Sequence, residues 1–519
     1  MSWEPEIEEI RRRERLAAKM GGEERIARHH AQGRYTVRER IEKLLDANSF
    51  HEAGALAGKS TYNEEGELTD FIPSNFVVGT GRIDGRRVVI GGDDFTVRGG
   101  AADGKVGDKA GHGERLAEGL RLPMIRLVDG TGGGGSVKTL ETTGYTYVPG
   151  MPAWDTVVAL MGIVPVVGAC LGPVAGLGAV RVATSHFSLM VKHSSQLFIA
   201  GPPVVERGLG HKIDKEDLGG SHIHTHGSGA VDNEVDTEDE ALETIRRFLS
   251  YMPSNVWQIP PRGNVDDDPN RRDESLVSAI PRDRRRTYEV RPIVKAVVDR
   301  NSFFEIGEFY GRPLVTGLAR LHGYPVGVMA NDCKHGGGAV DVAASEKMMR
   351  FVDLCDTFHL PVVNFVDNPG FLIGEAAERA GTVRVGSRAL AAIYQATVPW
   401  TAILIRRVYG VAGAGHGNTS GMNLRYAWPS CDWGSLPIEG GVQAAYRREI
   451  EAAPDPAKHR REIEDRLSAV RSPLRTAEAF GIEEIIDPRD TRPILCEWIE
   501  TAYDNLPAHL GPRPRLARP

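Results

Sequence analysis

Five cysteines in 519 residues, Cys170, Cys333, Cys355, Cys431 and Cys496, stand far apart and form no C-x-x-C pair. That spacing argues against a zinc ribbon and against a disulfide framework, and it suits a reducing cytosol. No run of eighteen apolar residues occurs, so no membrane span is expected. The opening stretch MSWEPEIEEIRRRERLAAKM is charged and has no apolar core, which predicts no secretory signal and a cytoplasmic location. Excess positive charge is missing too. A net charge of −7 gives no reason to expect nucleic acid as a partner. DGTGGGGSVKT (129–139) resembles a phosphate loop but lacks the G-x-x-x-x-G-K-[ST] spacing. Glycine, by contrast, is plentiful. Its 60 residues point to many close backbone approaches, and the chain length predicts two or more domains.

The chain repeats itself. LPMIRLVDGTG (122–132) returns 238 residues later as LPVVNFVDNPG (360–370), with Leu-Pro, Val-Asp and the last Gly in step. LLDANSFHEAG, ending at Gly54, returns as VVDRNSFFEIG, ending at Gly307. TGRIDGRRVVIGGDD (80–94) returns as TGLARLHGYPVGVMAND (316–332), each a strand, a turn at Gly85 or Gly323, and a second strand. VPVVGACLGPVAGLGA (164–179) returns as VPWTAILIRRVYGVAGA (398–414). Four landmarks in one order indicate a duplicated domain. The divisions expected are 1–260 and 275–519, joined by a Pro-, Asn- and Asp-rich linker within 252–274. Helical patterns precede the strands: 344–360 puts Met348, Phe351, Val352 and Cys355 on one face, and 387–397 does the same before the next strand. Strands alternating with helices predict an α/β fold with buried sheets.

At the fourth landmark both halves run from a strand into a glycine-rich corner, GPVAGLGAV (172–180) and YGVAGAGHG (409–417). Small residues let backbone N–H groups approach a ligand, and two such donors aimed at one oxygen form an oxyanion hole. A single corner of this kind is more simply a tight helix–sheet contact. Two at equivalent points of a duplicated domain favour function, a reaction with two enolate-like partners. SHIHTHGSG sets His222, His224 and His226 at alternate positions, which on a strand would share a face as metal ligands do. A polar surface loop is the plainer reading there. The charged helix 459–473 reads as a solvated face, and the lone cations Arg98, Lys105, Lys138 and His335 are left out of the site.

The whole chain resembles the carboxyltransferase (β) subunit of biotin-dependent acyl-CoA carboxylases, the family of propionyl-CoA carboxylase. The residues that carry the likeness are GRYTVRERIEKLLDANSFHE (33–52), GGDDFTVRGG (91–100), LGPVAGLGAV (171–180), LFIAGPPVV (197–205), EDLGGSHIHTHGSGAVD (216–232), FLSYMPSN (248–255), FVDLCDTFHLPVVNFVDNPGFLIG (351–374), ATVP (396–399) and YAWP (426–429). The resemblance implies two tandem crotonase-like domains, acyl-CoA held mainly by the first and biotin by the second of a neighbouring subunit, in a hexamer. It implies transfer of a carboxyl group from carboxybiotin to the acyl α-carbon or its vinylogous position, with stabilisation from backbone donors and no metal. Those donors map to Gly176, Leu177 and Gly178 for the thioester oxygen, and to Gly410, Val411 and Ala412 for the biotin oxygen. Ala175 and Ala414 would border the acyl group.

Three departures from the family pattern bear on substrate. Gly-Leu and Gly-Val stand where Gly-Gly is usual, GTGGGGSVKTL (130–140) replaces SGGARIQEG, and Ala414 occupies the position of an Asp in GGAYD. A propionyl-CoA-like substrate is expected; a methylcrotonyl-like or branched acyl-CoA, a decarboxylase subunit, and a non-catalytic assembly subunit stay open. The chain lacks a Met-Lys-Met biotinylation motif and an ATP-grasp-like segment. A biotin carboxylase and carrier (α) partner is therefore expected to supply carboxybiotin.

Overall fold

The computed structural model describes every residue except 1, 102–105, 131–135, 418–422, 515–517 and 519, and also omits the side chains of 136, 138, 139 and 142. Lys105, the Lys138 side chain and the four consecutive glycines 132–135 of the 130–140 stretch thus lie outside the described residues. The chain folds into two compact units, Met1–Gln258 and Ile259–Pro519.

In the first unit the strands are β1 (His51–Glu52), β2 (Gly58–Tyr62), β3 (Leu68–Pro73), β4 (Phe76–Ile83), β5 (Arg86–Asp93), β6 (Met124–Val128), β7 (Val166–Cys170), β8 (Pro173–Ala175), β9 (Phe187–Val191), β10 (Gln196–Phe198) and β11 (Asn233–Val235). The second unit has β12 (Phe304–Glu305), β13 (Leu314–Leu321), β14 (Tyr324–Asn331), β15 (Val362–Asn368), β16 (Trp400–Tyr409), β17 (Asn423–Ala427), β18 (Asp432–Gly434) and β19 (Glu484–Ile485). The main sheets run β1-β4-β5-β6-β7-β9-β11 and β12-β13-β14-β15-β16-β17-β19. Each begins with two antiparallel pairings and continues in parallel. Seven strands therefore correspond one to one, with the repeated Leu-Pro strand as β6 and β15.

The local chemistry of the repeat explains why it survives in the sequence. Asp84 and Gly85 both have positive φ (49° and 77°), as do His322 and Gly323 (48° and 80°), the turn whose twist matches a two-residue hairpin. The preceding Asp-x-Asn-Ser motif caps that turn. Asp46 accepts from the Asp84 and Gly85 N–H groups at 3.0 and 2.8 Å, and Asp299 accepts from His322 and Gly323 at 3.0 and 2.7 Å. Ser49 and Ser302 hydroxyls accept from the Arg82 and Arg320 N–H groups at 3.0 and 3.1 Å.

Helices cover the sheets with their apolar faces. Lys109–Leu120 and Trp154–Leu160 pack on β5, β6 and β7 through Ala117, Leu160, Val89, Met124 and Val166. In the second unit Val290–Val297 and Thr491–Asn505 cover β13 to β16. The predicted helix around 344–360 spans Val342–Thr357, with Met348, Phe351, Val352 and Cys355 buried. The one around 387–397 begins earlier and spans Thr382–Gln395. The charged stretch forms Pro456–Ser468, where Ile463 alone is buried, as a solvated face requires. Of the linker expected over 252–274, the part 261–274 is held on the second unit. Arg492 donates to the Asp268 carbonyl at 2.9 Å, Arg320 to the Pro261 carbonyl at 3.1 Å, and Gly263 N–H to the Gly323 carbonyl at 2.8 Å.

Candidate active site

In α/β sheets, ligands gather outside the carboxyl ends of the parallel strands. Both glycine corners lie there. In the first unit β7 leads through Leu171 and Gly172 into β8, which pairs with β10 and ends at Ala175. Gly176 then turns with φ 63° and ψ −124°, and the helix Leu177–Ala183 begins. In the second unit β16 runs on without a break, pairing with β18 along Arg407, Val408 and Tyr409. Gly410, 234 residues after Gly176, turns with φ 62° into the short helix Gly410–Ala414. A φ near +60° carries no steric cost for glycine and strains most other residues, so glycine suits the turn at each corner.

The first residues of a helix carry N–H groups without intrahelical partners. Leu177 and Gly178 at one corner, and Val411 and Ala412 at the other, have N–H groups that no described acceptor takes. Gly176 differs from expectation. Its N–H already donates to the Phe198 carbonyl at 3.1 Å, because β10 lies alongside, so it is not available as an oxyanion donor. Ala175 is likewise engaged, donating to the Gly130 carbonyl at 3.3 Å. Leu177 and Val411 place apolar side chains outward, 38% and 64% exposed, beside the available donors. Ala414 is exposed at the end of its helix.

Beneath each corner sits a buried charge cluster that reading single motifs missed. Asp129, at the end of β6, receives Arg34 and, at 2.8 Å, Arg40. Arg40 also grips Glu238 at 2.6 Å. Asp367, on β15, receives Arg406, Arg407 and the Tyr288 hydroxyl at 2.8, 2.6 and 2.9 Å. Burial would raise the Asp367 carboxyl, but the hydrogen bonds and charge of Arg407 and Arg406 hold it below the usual carboxylate range. The recurring Val-Asp of the repeat was the one signal that could have found both.

Among the described residues no side-chain nucleophile presents itself at the corners. The Cys170 thiol on β7 is pushed up to about 12 by burial. Tyr409, just before Gly410, is likewise pushed up to about 12 by burial and by the Asp432 carboxylate that accepts from its hydroxyl. The alternating histidines do not lie on a strand. Ile223–Gly227 is a π-helical turn, which sends His224 to the Leu197 carbonyl at 2.8 Å and His226 to Glu234 at 3.1 Å. Among the described residues no three His, Cys, Asp or Glu side chains gather as metal ligands would, and no helix is long and apolar enough to cross a membrane.

Residues 28–512 match the family model of the carboxyl transferase domain. The chain is 35% identical over 499 residues to the propionyl-CoA carboxylase carboxyltransferase subunit of Haloferax mediterranei, covering 95% of each. It is 34% identical over 476 residues to the methylmalonyl-CoA decarboxylase subunit alpha of Veillonella parvula, covering 92% of this chain and 91% of that one. In structure it is similar to the transcarboxylase 12S hexamer solved with methylmalonyl-CoA and methylmalonic acid bound, at a TM-score of 0.88 and 30% identity, covering 100% and 98% of the two chains.

Proposed function

The chain belongs to the carboxyl transferase family, the carboxyltransferases of biotin-dependent acyl-CoA carboxylases, and on that premise we propose how its two corners divide the reaction. The N–H groups of Leu177 and Gly178 hold the thioester oxygen of an acyl-CoA, and those of Val411 and Ala412 hold the ureido oxygen of biotin. What carries this reading is one observation: two glycine corners at equivalent points of a duplicated fold, with φ of 63° and 62°, each followed by two unspent backbone donors.

Carboxybiotin, when bound, supplies both the carbon dioxide and the base for the acyl α-proton. The protein's part is then electrostatic. At the first corner two N–H dipoles face the oxygen that gains charge as the α-proton leaves, which lowers the barrier to the enolate. At the second, the N–H groups of Val411 and Ala412 would hold the ureido oxygen of a bound biotin and would stabilise negative charge there. Neither corner needs a titrating side chain, which agrees with the buried, protonated Cys170 and Tyr409 nearby.

The substrate is a short acyl-CoA of the propionyl class, in keeping with the Haloferax relative. The Veillonella relative supports a second direction, decarboxylation. A biotin-bearing α partner, cytoplasmic location, and assembly as a hexamer like the 12S neighbour complete the proposal.

The test removes one donor at a time. Leu177 is the first helical residue after Gly176, a position where proline fits the backbone and deletes the N–H, with Leu177→Ala as the control for the lost side chain. Leu177→Pro is expected to lower kcat for deuterium wash-in at the α-carbon of propionyl-CoA, with free biotin present, by roughly 10²–10³-fold. Val411→Pro is expected to lower decarboxylation of carboxybiotin by a similar factor, about 10²-fold or more. Full activity in both variants, with the fold intact, would remove the oxyanion assignment.

A further inference from the structure

We propose that Asp129 and Asp367 are positioning residues: each uses a buried guanidinium to hold the strand that leads into its unit's glycine corner, and the two units draw that guanidinium from different places in the chain. The proposal rests on the reading of the corners as oxyanion sites.

Both carboxylates are fully buried at the same point of the repeated strand, 238 residues apart. In the first unit Arg34 and Arg40 bridge Asp129 to the backbone. Arg34 Nη2 donates to Asp129 and to the Leu171 carbonyl at 3.2 Å, while Arg40 donates to Asp129 at 2.8 Å and to the same carbonyl at 3.1 Å. Leu171 lies on the connection from β7 to Gly176. The next residue is glycine for a steric reason: a Cβ on Gly172 would stand 2.0 Å from Arg34 Nη2 and 2.1 Å from Asp129 Oδ1. The space beside position 172 is already filled by a side chain from far away.

In the second unit the residue that corresponds to Gly172, 234 positions on, is Arg406. Its own side chain enters the equivalent place and donates to Asp367 Oδ2 through Nε at 3.0 Å and Nη2 at 2.8 Å. Arg407 adds its backbone N–H at 3.1 Å and its Nε at 2.6 Å to Oδ1. One unit therefore pins the strand by gripping a carbonyl from outside. The other pins it by a side chain and an N–H of the strand itself.

Buried ion pairs are costly to desolvate and are weak devices for stability alone. A pair rebuilt at the same spot from unrelated positions is retained for what it does there. Backbone donors cannot swing to find an oxygen as side chains do; their aim depends on the strand end that carries them. A displacement of about 1 Å costs on the order of 10²-fold in rate.

The experiment removes the guanidinium. The full chain is assayed for deuterium wash-in to propionyl-CoA with free biotin, reading kcat and KM separately, together with the melting temperature. Arg34→Ala is expected to lower kcat roughly 10²-fold with KM changed only about threefold. Adding Arg40→Ala to it removes the other bridge from Asp129 to the Leu171 carbonyl and is expected to lower kcat by at least about a further tenfold. Arg34→Lys keeps the charge beside Asp129 but loses the reach to the Leu171 carbonyl, and is expected to lower kcat while largely keeping the melting temperature. A folded variant lacking both Arg34 and Arg40 with kcat within about twofold of the parent would overturn the proposal. If Arg34→Ala does not fold, full kcat in Arg34→Lys overturns it instead. Leu177→Pro separates the two readings: full exchange there defeats the corner assignment itself, whereas an inactive Leu177→Pro beside unaffected Arg34 variants defeats the positioning role alone.

Discussion

His29 sits 4% exposed beside the Asp129 cluster, its Nε2–H donating to the Tyr35 carbonyl at 3.0 Å. Burial, and then the positive charge of Arg34, pull its pKa down to about 4. The folded chain thus keeps this ring neutral, while the unfolded chain protonates it near 6.5. Between those values the unfolded state binds the extra proton, so stability falls as pH drops through the window and is unaffected above it. The total is roughly 3 kcal/mol for this group. Melting temperature against pH should therefore slope less steeply from 6.5 to 4 in His29→Gln than in the parent. At Ala414 the question is selectivity. An exposed alanine at the end of the second corner's helix offers neither bulk nor charge against an acyl chain. Ala414→Asp is expected to move kcat/KM toward acetyl- and propionyl-CoA over butyryl- and methylcrotonyl-CoA, by a factor of about 10. An unchanged profile across the four would show that Leu177 or Val411 sets specificity instead.

The hairpin caps show how one motif acquires two energetic weights. Asp46 is half-buried and serves only its turn among the contacts described above. Asp299 is buried, serves the equivalent turn, and also receives Arg492, itself 1% exposed, at 2.9 Å. Removing Asp299 takes from a buried guanidinium the nearer of its two carboxylates, the other being Asp267 at 3.5 Å. Asp299→Ala should therefore cost about 3–5 kcal/mol in chemical denaturation, whereas Asp46→Ala should cost about 1 kcal/mol per lost bond. Equal losses would mean that the Arg492 pair adds nothing. The short helices after Gly176 and Gly410 follow the opposite logic. They bury little, and what the proposed function asks of them is two N–H groups that no described acceptor takes.

For the molecule as a whole, the proposed division of labour predicts that the purified chain catalyses the transfer half-reaction alone. Supplied with ATP, bicarbonate and free biotin, it should form no carboxylated acyl-CoA; supplied with carboxybiotin, it should. ATP-dependent product from this chain by itself would refute the need for an α partner. The sequence by itself determined the duplication, the α/β class, the hairpin turns and both glycine corners, because each is written in residues close together along the chain: periodicity, a turn pair, a glycine at a strand end. What only the tertiary structure decided lies across long separations. Arg34 and Asp129 are 95 residues apart, and nothing local marks Arg34 as the side chain that replaces one missing from Gly172. That Gly176 spends its N–H on Phe198 depends on β10 arriving beside β8, and that the alternating histidines part company depends on a π-helical turn. Local patterns specify which elements form; the partner of a buried charge or a backbone donor is chosen by which elements the fold brings alongside.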